Sequence, residues 1–343
     1  MKIFELSDAD NERWDNYISD ESTASIYHLS GWRNLIQEQF GHQACYFYAE
    51  SEDGVVEGVL PLIRLKSLLF GDYMVSVPYF NYGGVIARDK SVEDALIEHA
   101  YAIGNQLGVS HIEFRDTVHR EQFSDLRTDK VAMVLELPEL EEELWQALGS
   151  KRRAQIKRPL RENPEVHQGG LDLLDDFYRV FAINMRDLGT PVYSKKFFSA
   201  IIETFPSHCR LIVIRLQGKA VAAAFLIGYK DRLEIPWAST LRSVNSSSMN
   251  MLLYWEVIKY AIQSKFQCFD FGRSSVDSGT FRFKKQWGAV PQQLYWHYWL
   301  KEGEPMPQLS PSNPAFQLAI RCWQKLPLFV STSLGPGIVK NLP

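Results

Sequence analysis

Residues 269–289 read FDFGRSSVDSGTFRFKKQWGA. An apolar run of β character ends in Asp270 and Arg273, a turn of serine and glycine follows, and Arg282, Lys284 and Lys285 are then set among aromatics. Three readings compete for such a stretch: a nucleotide-binding loop, a catalytic turn, or the polar rim of a sheet. The elements around it decide which fold it belongs to. Just before it, SSSMNMLLYWEVIKYAIQS (246–264) has helical periodicity, with Glu256, Lys259 and Gln263 on one face and Leu252, Leu253 and Val257 left for a core. Further back lie three strand-like runs, RLIVIRL (210–216), AVAAAFLIGY (220–229) and RLEIPWAS (232–239), joined by the turns QGK and KDR. Helical segments over 171–188 and 194–205 precede them, and QQLYWHYWL (292–300) reads as a last strand.

The first half repeats this order. SGWRNLIQEQFG (30–41) predicts a helix opened by Ser30, and ACYFYAE (44–50), VVEGVLPLIRLK (55–66) and MVSVPYF (74–80) predict strands. SVEDALIEHAYAIGNQLG (91–108) predicts a helix with Ser91 and Asp94 at capping-box spacing and Gly108 as its stop. The strands SHIEFRD (110–116) and VAMVLEL (131–137) follow. Helix, three-strand meander, helix, strand, strand therefore occurs twice, which is the mark of an internal duplication. Under it IEFRD (112–116) corresponds to FDFGR (269–273), each an acid and an arginine flanking an aromatic at a strand end.

At 343 residues, two domains are expected. The acidic run PELEEELW (138–145) marks the boundary, giving an N-terminal domain over 1–138, a C-terminal domain over 139–302 and a proline-rich strap over 303–343. Composition is that of a globular chain, 45% hydrophobic and 23% charged. The net charge of −4 gives no global pull toward nucleic acid or anionic lipid, so any such attraction must be local. Cys45, Cys209, Cys268 and Cys322 lack paired spacing and read as buried free thiols. The histidines show no ligand spacing, so no metal site is expected. The N-terminus has no signal-peptide character and no run approaches a membrane span, which predicts a cytoplasmic location.

Several polar groups stand out against this frame. SKRRAQIKRPLREN (150–163) crowds Lys151, Arg152, Arg153, Lys157, Arg158 and Arg161 without an acid before Glu162. That is either a solvated helix face or a site for phosphate oxygens, which guanidinium forks match. STLRSVNSSSMNM (239–251) runs from a strand into a helix start, where free amides accept anions; simple capping by Ser246 to Ser248 is the other reading. Asp187 and Tyr193 flank the turn at Gly189 and Pro191, with Tyr193 directed either into the turn or into a cleft. Trp237 reads as core or cleft aromatic. Glu234, on an apolar strand, is either outward-facing or a buried carboxylate fit for a general base or an amine ligand. There is no G-x-S-x-G, no P-loop and no Cys–His pairing by sequence, so the expected chemistry is direct transfer between two bound substrates.

The second half resembles the GNAT-type acetyltransferase fold as it occurs in the FemAB group of peptidyl and aminoacyl transferases. More narrowly, SKRRAQIKRP (150–159), FAINMRDLGTPVYSKKFF (181–198), LEIPWAST (233–240), NMLLYW (250–255) and residues 269–289 together resemble the FemAB-like proteins of exosortase (PEP-CTERM) and exopolysaccharide systems. LPLIRLKSLLFG (60–71) and PYFNYGGV (78–85) extend the likeness over 26–299. The resemblance implies an α+β fold of two tandem GNAT-like acyltransferase domains, mixed sheets flanked by helices. It implies an N-acyltransferase or aminoacyltransferase moving its group to an amine of a cell-envelope or exopolysaccharide precursor. Acyl-CoA or aminoacyl-tRNA would be the co-substrate, with no tightly bound cofactor and no DNA. Two family features are missing: the coiled-coil arm of some Fem proteins, and the Q/R-x-x-G-x-G/A loop, where RSVNSSSMN (242–250) stands instead.

On this resemblance Lys151, Arg152 and Arg153 bind a phosphate-bearing substrate, with Asn245, Ser248 and Asn250 at the helix start. Asp270 and Arg273 shape the acceptor site, Lys284 stabilises charge in the transition state, and Trp287 lines the cleft with Tyr193 and Trp237. Glu234 completes the catalytic set. The strap, with its short amphipathic segment NPAFQLAIRCWQKL (313–326), is expected to dock on the second domain and to offer a peripheral contact at the inner face of the membrane. Two other functions remain open: a non-catalytic scaffold binding tRNA or a polyanionic glycan, and an assembly partner of the exopolysaccharide machinery.

Overall fold

The computed structural model describes residues 1–68, 70–307 and 314–342. Two compact units emerge, one built from Met1–Val131 with Gln292–Gln308 and Lys340–Pro343, the other from Ala132–Pro291 with Leu309–Val339.

In the first unit, β1 (Lys2–Glu5), β2 (Gln43–Glu50), β3 (Val56–Ser67) and β4 (Gly71–Val75) form an antiparallel series, with the short β5 (Ile86–Ala87) alongside β3. The expected strand through Phe80 stops at Val75. Pro78 cannot donate to a ladder, and Val77 and Tyr79 take φ of 46° and 77°, outside the strand region. Helices α1 (Asn11–Asp20) and α2 (Gly31–Phe40) lie between β1 and β2 in the chain, and α3 (Lys90–Leu107) crosses over to β6 (His111–Asp116), which lies parallel to β4. Asp89, not Ser91, caps α3, accepting from the amides of Ser91 and Val92; Gly108 stops it in the left-handed conformation, φ 69°. Phe47, Leu60, Leu62 and Met74 of the sheet pack with Leu96 of α3 and Ile112 and Phe114 of β6 as the core.

The second unit repeats the plan. After α4 (Glu141–Ala147), α5 (Ser150–Lys157), α6 (Leu174–Leu188) and α7 (Lys195–Thr204) comes the meander β10 (Cys209–Leu216), β11 (Lys219–Tyr229), β12 (Arg232–Thr240), with β9 (Glu165–Gly169) on its outer edge. Helix α8 (Met249–Gln263) then crosses to β13 (Cys268–Ser275), parallel to β12. Phe177 and Phe181 of α6, Phe198 of α7, Phe225 of β11 and Trp237 of β12 form one aromatic cluster.

The last strands are exchanged. β15 (Tyr295–Leu300), which the order of elements assigns to the second half, pairs antiparallel with β6 and with β7 (Asp125–Arg127) in the first sheet. Its expected place beside β13 is taken by β8 (Lys130–Glu136), flanked in turn by β14 (Val290–Gln293). Both exchanged strands are apolar and of similar length, so hydrophobic pattern alone cannot tell which sheet each completes.

Helix α9 (Gly279–Lys285) packs on β13. The C-terminal segment holds two helices where one was expected, α10 (Pro314–Trp323) and α11 (Leu328–Val339), and both contact α6. Gly335 approaches the Val192 backbone so closely that a Cβ would lie 2.8 Å from its nitrogen. Residues 308–313 and 343 of the strap lie outside the described residues. Cys45 and Cys209 are buried free thiols as expected, but Cys268 is half-buried and Cys322 is exposed on α10. No described helix is long and apolar enough to cross a membrane. Among the described residues no group of three His, Cys, Asp or Glu side chains is gathered to hold a metal ion.

Candidate active site

In the second unit, the mouth of the parallel pair β12–β13 gathers the charges. Glu234 and Asp270 are Cα partners in that pair. Opposite Phe225 and Ile227 of β11 stand Trp237 and Glu234: three residues of β12 span two of β11, so a bulge at Ile235 and Pro236 turns Glu234 and Trp237 to one face. Both carboxylates are withdrawn from solvent, Asp270 0% and Glu234 5% exposed. Burying two acids side by side requires compensation.

Part of it comes from Arg232, whose guanidinium donates to Asp270 Oδ2 at 3.1 Å, and from the Gly272 amide, which donates to Asp270 Oδ1 at 2.7 Å. Lys284 on α9, itself only 8% exposed, adds a second positive charge that interacts with both acids. Its ammonium donates to the carbonyls of Gly272 at 2.9 Å and Arg273 at 2.8 Å, leaving one of its three protons for another acceptor. Those carbonyls turn toward it because Gly272 takes φ 75°, which bends β13 at a position where a side chain would be strained. Burial pulls the Lys284 ammonium down to about 8, against the opposing pull of the Asp270 and Glu234 charges. Ser278 fixes the start of α9 by accepting from the Phe281 amide.

Arg273 is exposed at the end of β13. Tyr193 and Trp237 meet edge to face with centroids 6.0 Å apart, both half-buried, and the Tyr193 carbonyl accepts from Tyr178. Trp287 is buried against Tyr254 of α8, and its Nε1, like Ser274 Oγ on β13, has no hydrogen-bond partner among the described residues. Asp187 is engaged by Arg186 and Arg242.

The basic segment divides into two kinds of residue. Arg153 Nη1 donates to the carbonyls of Trp145, Gln146 and Leu148, closing the end of α4 with one arm of its guanidinium. Arg152 is half-buried and donates to Gln155. Lys151, Lys157, Arg158 and Arg161 are exposed, and α5 packs on α8. The start of α8 has no side-chain cap: Ser248 sits at the N-cap with φ 64° and its hydroxyl makes no capping bond, while Asn245 is exposed and Asn250 half-buried. The serines of this loop therefore do not serve as caps.

The echo in the first unit is topologically exact but chemically closed. Glu113 occupies on β6 the register position that Asp270 occupies on β13, opposite Val75 where the second unit has Glu234. Glu113 is held by Arg115 at 2.7 Å and by the Tyr298 hydroxyl at 2.5 Å, and Arg115 also donates to the Phe80 carbonyl. Asp116 is bound by Arg120 and by His297, each at 3.0 Å. Every acid here has its partners within the fold. Arg232, Gly272 and the bulge in β12 escaped sequence reasoning. The signal for Arg232 is its place two residues before Glu234 on a strand with a parallel neighbour; nothing in the sequence marks the left-handed Gly272.

Comparison with known proteins agrees with this fold. Residues 150–285 match the acetyltransferase (GNAT) domain model. A UDP-N-acetylmuramoylpentapeptide-lysine N(6)-alanyltransferase of Weissella viridescens is 22% identical over 317 residues, covering 83% of this chain and 91% of that one. The crystal structure of FemX superposes with a TM-score of 0.67 at 14% identity, over 93% of this chain and 100% of that one. A tandem GNAT protein from the clavulanic acid biosynthesis pathway reaches 0.52 at 11% identity, over 89% and 99%. Residues 150–285 are thus a GNAT-type acetyltransferase domain by sequence, and the chain as a whole has the FemX-like fold of two GNAT-like domains in tandem.

Proposed function

We propose that the chain is an aminoacyl- or acyltransferase that forms an amide on an amine of a cell-envelope precursor, an exopolysaccharide precursor in the narrower reading, at the inner face of the membrane. The observation that carries the reading is the Lys284 ammonium, buried between two strand carbonyls beside Glu234 and Asp270. In the reaction the acceptor amine attacks the carbonyl of an ester or thioester donor, and an N–C bond forms as the C–O or C–S bond breaks. The Lys284 proton not held by Gly272 or Arg273 hydrogen-bonds the oxyanion, and this low-dielectric position strengthens the bond. Glu234 takes the proton lost by the attacking amine. Asp270, tied to Arg232 and Gly272, fixes the strand whose carbonyls hold Lys284 and, with Arg273, borders the acceptor.

Tyr193, Trp237 and Trp287 supply the aromatic walls. The polyanionic donor, aminoacyl-tRNA or acyl-CoA, is assigned to exposed Lys151 beside Arg152, with Arg153 holding α4 behind them, and to the uncapped start of α8 with Asn245, Ser248 and Asn250. The alanyl transfer in the name of the Weissella viridescens relative favours an aminoacyl donor. A matrix of charged tRNAs and acyl-CoAs against amine-bearing muropeptide and polysaccharide precursors tests the reading. Amide formation with at least one pair supports it; salt-sensitive binding of tRNA without transfer to any acceptor replaces it with a binding function.

A further inference from the structure

The C-terminal helical pair carries a surface that group transfer does not use. Helix α11 turns Ser331, Gly335 and Val339 inward, all buried. Its opposite half presents Phe329 and Leu334, 72% and 54% exposed, with Ser333, Gly337 and Ile338 also exposed. On α10, Leu318 is 65% exposed. From Leu326 to Val339 there is no charged side chain, so the outward face of α11 is uncharged along its whole length. A helix covering a globular protein normally turns charged or polar residues to water, and an exposed apolar face of this kind marks a contact.

The charges flanking α11 in sequence have one sign. Arg321 and Lys325 precede it and Lys340 follows, while no Asp or Glu occurs after Glu304, in a chain whose net charge is −4. Apolar side chains bracketed by cations match an anionic bilayer surface, where the apolar groups enter the headgroup–acyl boundary and the long cationic side chains reach the phosphates. No described helix can cross a membrane, so the contact is one of lying on the surface. We propose that α10 and α11 dock the protein on an anionic phospholipid bilayer through Leu318, Phe329, Leu334 and Ile338, with Arg321 and Lys325 at phosphate level. This gives the membrane-face part of the proposed function its surface. It rests on residues outside the transfer site, so vesicle binding and transfer to a water-soluble acceptor are read separately.

The test is flotation of the full chain with vesicles of mixed phosphatidylglycerol and phosphatidylcholine, and with phosphatidylcholine alone. The protein floats with the mixed vesicles and not with the neutral ones. Phe329→Glu with Leu334→Glu weakens partitioning by about tenfold or more. Arg321→Gln with Lys325→Gln weakens it roughly fivefold per cation removed, and added salt has the same effect. All variants keep the wild-type rate on a soluble acceptor. Failure of the wild type to bind, or equal binding by Phe329→Glu/Leu334→Glu, overturns the proposal. So does a dimer in the absence of vesicles that the same double variant dissociates, which would give the face to a second copy of the chain.

Discussion

Glu234 and Asp270 face each other across a parallel strand pair, both buried, and Lys284 is the cation whose charge both of them feel. Two acids and one ammonium so placed are costly as architecture alone, because well-packed apolar residues stabilise a sheet end at least as well. Their arrangement has a direct consequence for pH dependence. The ammonium is the form that stabilises an oxyanion, and burial has brought it down to about 8. Wild-type kcat is therefore expected to fall as pH rises through about 8. The Asp270 charge holds that value up, so Asp270→Asn moves the descending limb to lower pH. The same substitution breaks a buried ion pair and costs about 3 kcal/mol of stability. A pH–rate profile with urea unfolding of both proteins checks the two effects.

The sign for stability follows from the same depression. Between about 8 and the ordinary lysine range the unfolded chain binds the proton that folded Lys284 has released, so this group adds stability as pH rises through that window. Lys284→Ala removes this rise, read as a flatter unfolding free energy on the alkaline side.

Gly272 is expected to tolerate no side chain. Its φ of 75° costs another residue about 1–2 kcal/mol, and relief of that strain would turn the carbonyls away from Lys284. Gly272→Ala should lose both stability and transfer rate. Unfolding curves and single-turnover rates measure the two losses.

The basic segment should separate by role. Arg153→Ala loses the hydrogen bonds that close α4 and is expected to cost about 1–2 kcal/mol of stability. Lys151→Ala and Lys157→Ala leave stability nearly unchanged, weaken donor binding and reduce its salt slope by about one per residue. Isothermal titration at several salt concentrations distinguishes these outcomes.

Glu113 in the first unit is expected to be structural. Burial pushes its carboxyl up, but the Arg115 charge and the bonds from Tyr298 and Arg115 outweigh burial and leave it below the usual glutamate range. Its contribution is thus present above the ordinary glutamate pKa and lost as pH falls through its own lower value. Glu113→Gln should flatten the acid side of the stability curve and leave the alkaline limb of kcat where it is.

Much of this site was legible because charge stands out in apolar strands: Asp270 and Glu234 are conspicuous in CFDFG and RLEIP, and the duplicated order of elements placed them at strand ends. Other features needed the third dimension. The exchange of β8 and β15 is invisible because either strand satisfies either sheet's pattern. Arg153 reads like its neighbours in sequence, yet its Nη1 is bound to the carbonyls at the end of α4. The serines before α8 looked like caps, yet Ser248 takes φ 64° and its hydroxyl makes no capping bond.

Lys284 is proposed to stabilise the developing oxyanion. This role is tested by single-turnover transfer at saturating donor and acceptor, comparing wild type with Lys284→Ala after both are shown to be folded and to bind donor equally. Lys284→Ala is expected to lose about a hundred- to a thousandfold in the rate of amide formation with little change in donor affinity. A Lys284→Ala enzyme that transfers at the wild-type rate would contradict it.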